Sequence, residues 1–505
     1  MKRNILILAG LMTACNIGYK EYEYSDASSK YAQPIYEMDS DEYIAENQDD
    51  GIYTNPWIET SQETTSTFAA DVDSGSYSLM RRHIMEGSLP ESSTVRIEEF
   101  INYFSYDDVG DYNGLPFAVQ LESAPSAFGD AEDIHLLRIG IQAEEIPEAQ
   151  RDPVNLVFLL DVSGSMSTSD KLGLVKYAMK HLVNKLSPQD TLGIVVYAGA
   201  EGVVLEPTAV ENKSEILDAL EALQAGGSTN GEAGIRSAYA MAESAFRQDG
   251  VNRVILCSDG DMNVGLTGDA LIELIEEYRD KDIFLTTLGV GMGNYQDDLM
   301  EQLADHGNGN YAYIDSQNEA LSVLGEKLVS TLQVVAKDLK VQVEFDSKVV
   351  ERWRLIGYEN RVLDNEDFVN DAVDAGDIGA GHSVTALYEI DLADAIDEIP
   401  AENEGSIATV RMRYKEPTGD ESTEHEWKLL PEEREDSFEM ATPSLKFAAA
   451  VAEFGEILRG SPHSEGDRFD DIHSIAQQAI SESSSTPSKE EFLSIIDQAK
   501  DLFGE

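Results

Sequence analysis

The chain has 505 residues, 36 Lys and Arg against 96 Asp and Glu, and a formal net charge of −60 at pH 7. Gripping a phosphate backbone takes Lys and Arg in excess, so this balance excludes sequence-blind nucleic-acid binding and disfavours adsorption to anionic lipid heads. The length exceeds one ordinary core and the 42% apolar content supports real folding, so roughly two to four domains are expected, in a chain whose acidity suits high salt or surroundings rich in divalent cations.

Lys2 and Arg3 precede the apolar run from Ile5 to Met12, which is too short to span a bilayer, and small residues lead into Cys15. Residues 1–14 therefore read as an export signal. Thr13-Ala14-Cys15 resembles a bacterial lipobox, with Met12 where Leu is usual. That resemblance implies cleavage before Cys15, acylation of its thiol and amine, and a lipid-anchored mature protein of the bacterial cell envelope. Asn16 leans the assignment towards the outer membrane, on its periplasmic or surface face. Cys257 is then the one remaining thiol, so the core must stabilise the chain without an internal disulfide. Residues 15–65, rich in Tyr, Glu, Asp and Ser without periodicity, read as a flexible acidic tether.

Residues 66–150 begin with a helical pattern through Met85 and a second short helix from Val95 to Phe104, followed by strands at 117–121 and 134–141. Asp71-x-Asp73 lacks the glycine and terminal Glu of an EF-hand and reads as a turn. Between 151 and 337, strands at 154–160, 192–197, 202–206, 252–257, 283–290 and 310–314 alternate with helices near 171–186, 213–223, 232–247, 269–280, 295–304 and 317–335. This alternation predicts an α/β fold with a doubly wound, mostly parallel sheet. Val203 to Glu206, only a short turn after the preceding strand, fits an antiparallel edge.

Asp161-Val162-Ser163-Gly164-Ser165-Met166 directly follows the apolar run from Val154 to Leu160. A run of this kind reads as a buried parallel strand, so Asp161, Ser163 and Ser165 fall at its carboxyl end, where open α/β sheets bind ligands. All three are hard oxygen donors, suited to Mg²⁺, Mn²⁺ or Ca²⁺. Thr229 follows in the loop Gly226-Gly227-Ser228-Thr229-Asn230-Gly231, and Asp259 ends a second buried run, Val254 to Cys257. Asp261 reads as a solvated loop carboxylate. The order Asp-x-Ser-x-Ser, loop Thr, strand-end Asp-Gly resembles the metal-ion-dependent adhesion site of von Willebrand factor type A domains. The resemblance implies that Ser163, Ser165 and Thr229 coordinate the cation directly or through water. Asp161 and Asp259 would act largely through water, and an acidic side chain of a protein partner would complete the octahedron.

Residues 338–435 read as β-rich, with strands from Leu339 to Phe345, Trp353 to Tyr358, Val384 to Ile390, Ala408 to Tyr414 and Glu426 to Leu430. An acidic insertion from Asp364 to His382 reads as a solvated loop. Residues 436–505 form a helical segment, with helices from Ser444 to Arg459, Phe469 to Glu482 and Lys489 to Leu502. Neither β-rich flank can bury both faces alone, so the two are expected to pair into a β-sandwich-like domain interrupted by the α/β domain. From Thr67 to Tyr77, from Val95 to Phe104 and through the later segments, the chain resembles a bacterial von Willebrand A lipoprotein family termed YfbK-like.

Three functions compete. A binding or scaffolding protein needs only a gripped cation and an open coordination position. A metal-dependent hydrolase needs an activated water with a general base or second metal, and the sequence offers no His-Glu-x-x-His, Gly-x-Ser-x-Gly or Gly-x-x-x-x-Gly-Lys. An adaptor or assembly factor for a partner ATPase or envelope complex would need another subunit. The residues favour binding, not catalysis.

Overall fold

A computed structural model describes residues 54–504 except 108–109, 130–133, 198–201, 228–230, 261–267, 292–296, 328–331, 394–404, 418 and 420. The described residues include the last part of the expected tether. The Asn55 side-chain amide donates to the Leu355 and Gly357 carbonyls at 3.1 and 2.7 Å, and the Arg352 guanidinium lies 4.6 Å from the Trp57 ring centroid. Strand β1 (Ile58–Glu59) pairs antiparallel with Arg352–Trp353, and β2 (Thr65–Ala69) follows. A strand of two residues is too short for periodicity to announce it. Next come α1 (Gly75–Met85), α2 (Ile97–Tyr103), β3 (Phe117–Pro125) and β4 (Ile134–Ala143). Tyr77, Phe100, Tyr103 and Phe104 stack into one buried aromatic cluster on the two helices.

The α/β domain carries β5 (Val154–Asp161), α3 (Leu172–Lys185), β6 (Thr191–Tyr197), β7 (Gly202–Ala209), α4 (Lys213–Ala222), α5 (Gly231–Ser244), β8 (Val251–Ser258), α6 (Gly268–Arg279), β9 (Ile283–Val290), α7 (Asp297–His306), β10 (Tyr311–Ile314) and α8 (Gln317–Ala320). Its sheet runs β10-β9-β8-β5-β6-β7, parallel throughout except for β7, the antiparallel edge. The alternation of β5 explains the double winding. Leu156, Phe158 and Leu160 face a core with α3, α4 and α8, whereas Val157 and Leu159 face one with α5, α6 and α7. The final helix is shorter than its pattern suggests: α8 gives way to π-helical turns over Leu321–Lys327, and a strand begins at Val334. The β-branched pair Val334-Val335 reads equally well as helix end or strand start, and the ladder decides it.

That strand is β11 (Val334–Phe345), and β12 (Val350–Ile356), β13 (Gly376–Gly379), β14 (Ser383–Leu392), β15 (Ala408–Lys415) and β16 (Ser422–Leu429) follow. They combine with the earlier strands in two antiparallel sheets, β1-β12-β14-β4-β3 and β13-β11-β15-β16, with β2 also on β11. Leu137, Ile139 and Ile141 of the first meet Val341, Val343, Val410 and Met412 of the second in one core. The flanks thus complete each other, and the α/β domain is an insertion. Its ends lie side by side, with the Asp152 amide donating to Gln333 Oε1 at 3.1 Å. The acidic insertion is partly a strand, not a loop throughout: β13 packs so closely that a Cβ on Gly376 would lie 1.9 Å from the Ala70 carbonyl oxygen, and its glycines hide any β signal.

Helix α9 (Pro443–Arg459) starts on a Thr442 hydroxyl cap and ends at Gly460 in the left-handed region, and α10 (Phe469–Glu482) and α11 (Pro487–Phe503) pack beside it and α2. A polar seam ties these layers to the inserted domain. Arg81 of α1 reaches Asp315 and Glu319, Arg96 reaches Asp297 and Glu301 of α7, and Arg361 reaches Asp71, Asp73 and Asp305. Asp71 and Asp73, expected as a turn, are buried in that seam. All described residues lie in one compact unit, and none of their helices is long and apolar enough to cross a membrane.

Candidate metal centre

Strand register builds the site. Asp161 ends β5 opposite Tyr197 of β6, and Leu160 pairs with Cys257 of β8, so Ser258 and Asp259 emerge at the same rim. Asp161, Ser163 and Asp259 are buried, while Ser165 is exposed. The Ser163 amide donates to Asp161 Oδ1 at 2.7 Å, and the Ser163 and Ser165 hydroxyls are 2.8 Å apart. The Gly164 amide donates to the Gly227 carbonyl at 3.2 Å and the Gly226 amide to the Val162 carbonyl at 2.7 Å, which docks the glycine loop on the Asp-x-Ser-x-Ser turn. Thr229 and Asp261 lie outside the described residues, as does Cys15.

Burial pushes the Asp161 carboxyl up to about 6, with the Asp259 charge adding to the rise. The Ser163 amide and hydroxyl, and the nearby Tyr197 hydroxyl, work against it. Among the described residues, buried Asp161 Oδ2 nevertheless has no partner at hydrogen-bonding geometry, and the Tyr197 hydroxyl is in the same condition. Asp259 Oδ2 accepts a hydrogen bond from Lys171 Nζ at 2.9 Å.

An unpartnered buried carboxylate oxygen is costly, and a divalent cation is the kind of group that relieves it. Two carboxylates and two hydroxyls form an all-oxygen donor set, which fits Mg²⁺, Mn²⁺ or Ca²⁺. Among the described residues, no group of three or more His, Cys, Asp or Glu is placed to hold a metal, so a centre at this rim depends on its hydroxyls. The sequence reading overlooked Tyr197 and Lys171. Tyr197 had a signal, because it ends an apolar strand next to the one that Asp161 ends. Lys171, eight positions past Ser163 and before a helix, had none.

Three families match successive parts of the chain. Residues 44–138 match von Willebrand factor, residues 155–327 the von Willebrand factor type A domain, and residues 330–502 the family described as "Uncharacterized protein YfbK, C-terminal". The chain is 39% identical over 448 residues to "Uncharacterized protein YfbK" of Escherichia coli (strain K12), which covers 85% of this chain and 77% of that protein. It is 31% identical over 185 residues to "Uncharacterized protein sll0103" of Synechocystis sp., covering 37% of this chain and 43% of that protein. Among solved structures, the von Willebrand factor type A protein from Catenulispora acidiphila is similar with a TM-score of 0.44 and 16% identity, over 74% of this chain and 88% of that one.

Proposed function

Because the chain belongs to the YfbK family and contains a von Willebrand factor type A domain, we propose that it is a lipid-anchored binding protein of the bacterial envelope. It captures an acidic side chain of a partner protein through a divalent cation held by Asp161, Ser163, Ser165, Thr229 and Asp259. The observation that carries this reading is the buried Asp161 Oδ2, which has no hydrogen-bond partner among the described residues, beside Ser163, Ser165 and Asp259 at the carboxyl rim of β5 and β8.

The division of labour follows from burial. Asp161 is fixed by the Ser163 amide and supplies negative charge from below, while exposed Ser165 faces the solvent side from which a partner arrives. A hard cation held largely by neutral hydroxyls keeps enough electrophilic character to accept an incoming carboxylate. The polar loops do the gripping and the apolar strands hold them rigid. Binding is favoured over hydrolysis because the loops after β5 and β8 contain no His to serve as a general base. Cys15 supplies the anchor.

The test is capture of envelope proteins on the immobilised full chain in Mg²⁺, in EDTA, and after Mg²⁺ is restored. Capture should vanish in EDTA, return with Mg²⁺, and be absent in Asp161→Ala and Thr229→Ala. Equal capture by both variants would refute the reading.

A further inference from the structure

We propose that Lys171 is an internal cation of the metal centre, a positioning residue that holds Asp259 and sets how weakly the centre retains a divalent ion. The inference rests on the metal-centre reading and goes beyond it. Lys171 Nζ lies 2.9 Å from Asp259 Oδ2, with the two side chains only 13% and 3% exposed.

The lysine is built into place. Its amide donates to the Thr168 carbonyl at 3.2 Å, and its own carbonyl accepts from the Leu174 and Val175 amides at 2.9 and 3.0 Å. The stem crosses Gly291, where a Cβ would lie 2.2 Å from Lys171 Cε and 2.7 Å from Cγ. Gly291 has a φ of +77°, natural for glycine, and its carbonyl accepts from the Tyr313 hydroxyl at 2.6 Å. Any side chain at position 291 would close the channel that the lysine occupies.

Charge decides the consequence. Asp161 and Asp259 bring two negative charges to the rim when ionised, and Lys171 returns one positive charge. A divalent ion arriving at this rim meets a like charge and finds Asp259 Oδ2 already engaged, so its binding is weakened. Removing the ammonium breaks a buried ion pair with cation-free Asp259, which destabilises the fold. Lys171 therefore stabilises the empty centre at the expense of the filled one. The result is a centre that fills and empties with ambient cation.

The experiment compares Mn²⁺ titration calorimetry and thermal melting in EDTA for the full chain, Lys171→Met and Lys171→Arg, with Lys185→Met, at an exposed position of α3, as a surface control. Lys171→Met should bind Mn²⁺ on the order of tenfold more tightly yet melt lower in EDTA, a combination that loss of a merely structural contact would not produce. Lys171→Arg keeps the charge and should retain the weaker affinity of the wild type. Unchanged or weaker Mn²⁺ binding by a folded Lys171→Met, with the wild type still binding, overturns the proposal and leaves the centre standing. Failure of wild type and variants alike to bind Mn²⁺ overturns both.

Discussion

Replacing Arg81 with Met keeps an apolar stem but removes the charge at the densest point of the polar seam. The guanidinium is 4% exposed, and its hydrogen bonds reach both Asp315 oxygens and Glu319 at 2.7 Å, the Tyr103 hydroxyl at 2.7 Å and Glu491 at 3.1 Å. Asp315 and Glu319 are themselves 4% and 2% exposed, so the substitution strands two carboxylates. Breaking a buried pair costs about 3–5 kcal/mol, and the surviving bond from the Tyr103 hydroxyl to Glu319 at 2.7 Å holds the loss inside that range. A cooperative unit of this size should melt about 3–5 °C lower. Hydrogen exchange should accelerate in α1 and across β10 and α8, with β3 and β4 less affected. Burial already holds Asp315 above the usual carboxylate range, and without Arg81 it takes up a proton more readily, so the loss should shrink from pH 8 to pH 5.5. A loss below about 1 kcal/mol, or one of the same size at both pH values, would refute this account of a desolvated clamp.

Burial pushes Glu98 and Glu453 up to about 8, and Glu99, Asp374 and Asp377 up to about 7. Their unfolded forms lose protons near pH 4, so between roughly pH 5 and 8 the folded chain binds more protons and stability falls as pH rises. The melting temperature should therefore increase from pH 8.5 to pH 6.5, and a decrease over that window would contradict the assignment. His135 and His463, lowered to about 4 by burial, oppose the trend only below roughly pH 6.5, where unfolded histidine gains its proton. Gly376→Ala drives a methyl group into the Ala70 carbonyl oxygen, 1.9 Å away, and should cost about 1–3 kcal/mol in denaturant unfolding; wild-type stability would mean that β13 moves freely on β11. Cys15→Ser should release the protein from the membrane fraction or leave it uncleaved, and a cleaved variant still extracted only by detergent would argue against a thiol-linked anchor.

The α/β domain was legible because its strands are buried on both faces: the run from Val154 to Leu160 admits few readings, and its following Asp161 fixes the rim. Pairing of the flanks could also be argued, since neither 117–141 nor 339–430 has enough strand faces to bury itself. The ordered residues before Thr65 were hidden, because Asn55 and Trp57 are held by contacts some 300 positions away that no local pattern encodes. β13 was hidden for the opposite reason, in that Gly376 and Gly379 look like turn residues, whereas Gly376 permits close approach to the Ala70 carbonyl. The Asp71-x-Asp73 turn gave no sign of burial, which is made tolerable by the tertiary arrival of Arg361 and by the Tyr311 and Asp73 amides, donating to Asp73 Oδ1 and Asp71 Oδ1 at 2.8 and 3.0 Å. At the candidate centre the donors came from sequence order, while the lysine beside Asp259 came only from geometry.

The most direct measurement is the stoichiometry of Mn²⁺ binding to the full chain and to Asp161→Ala, followed by calorimetry or electron paramagnetic resonance. The account predicts a site at this rim in the wild-type chain that disappears in Asp161→Ala, while the variant melts in EDTA at or above the wild-type temperature because a carboxylate whose burial outweighs its hydrogen bonds has been removed. No binding by the wild type, or undiminished binding by a folded Asp161→Ala, would contradict it.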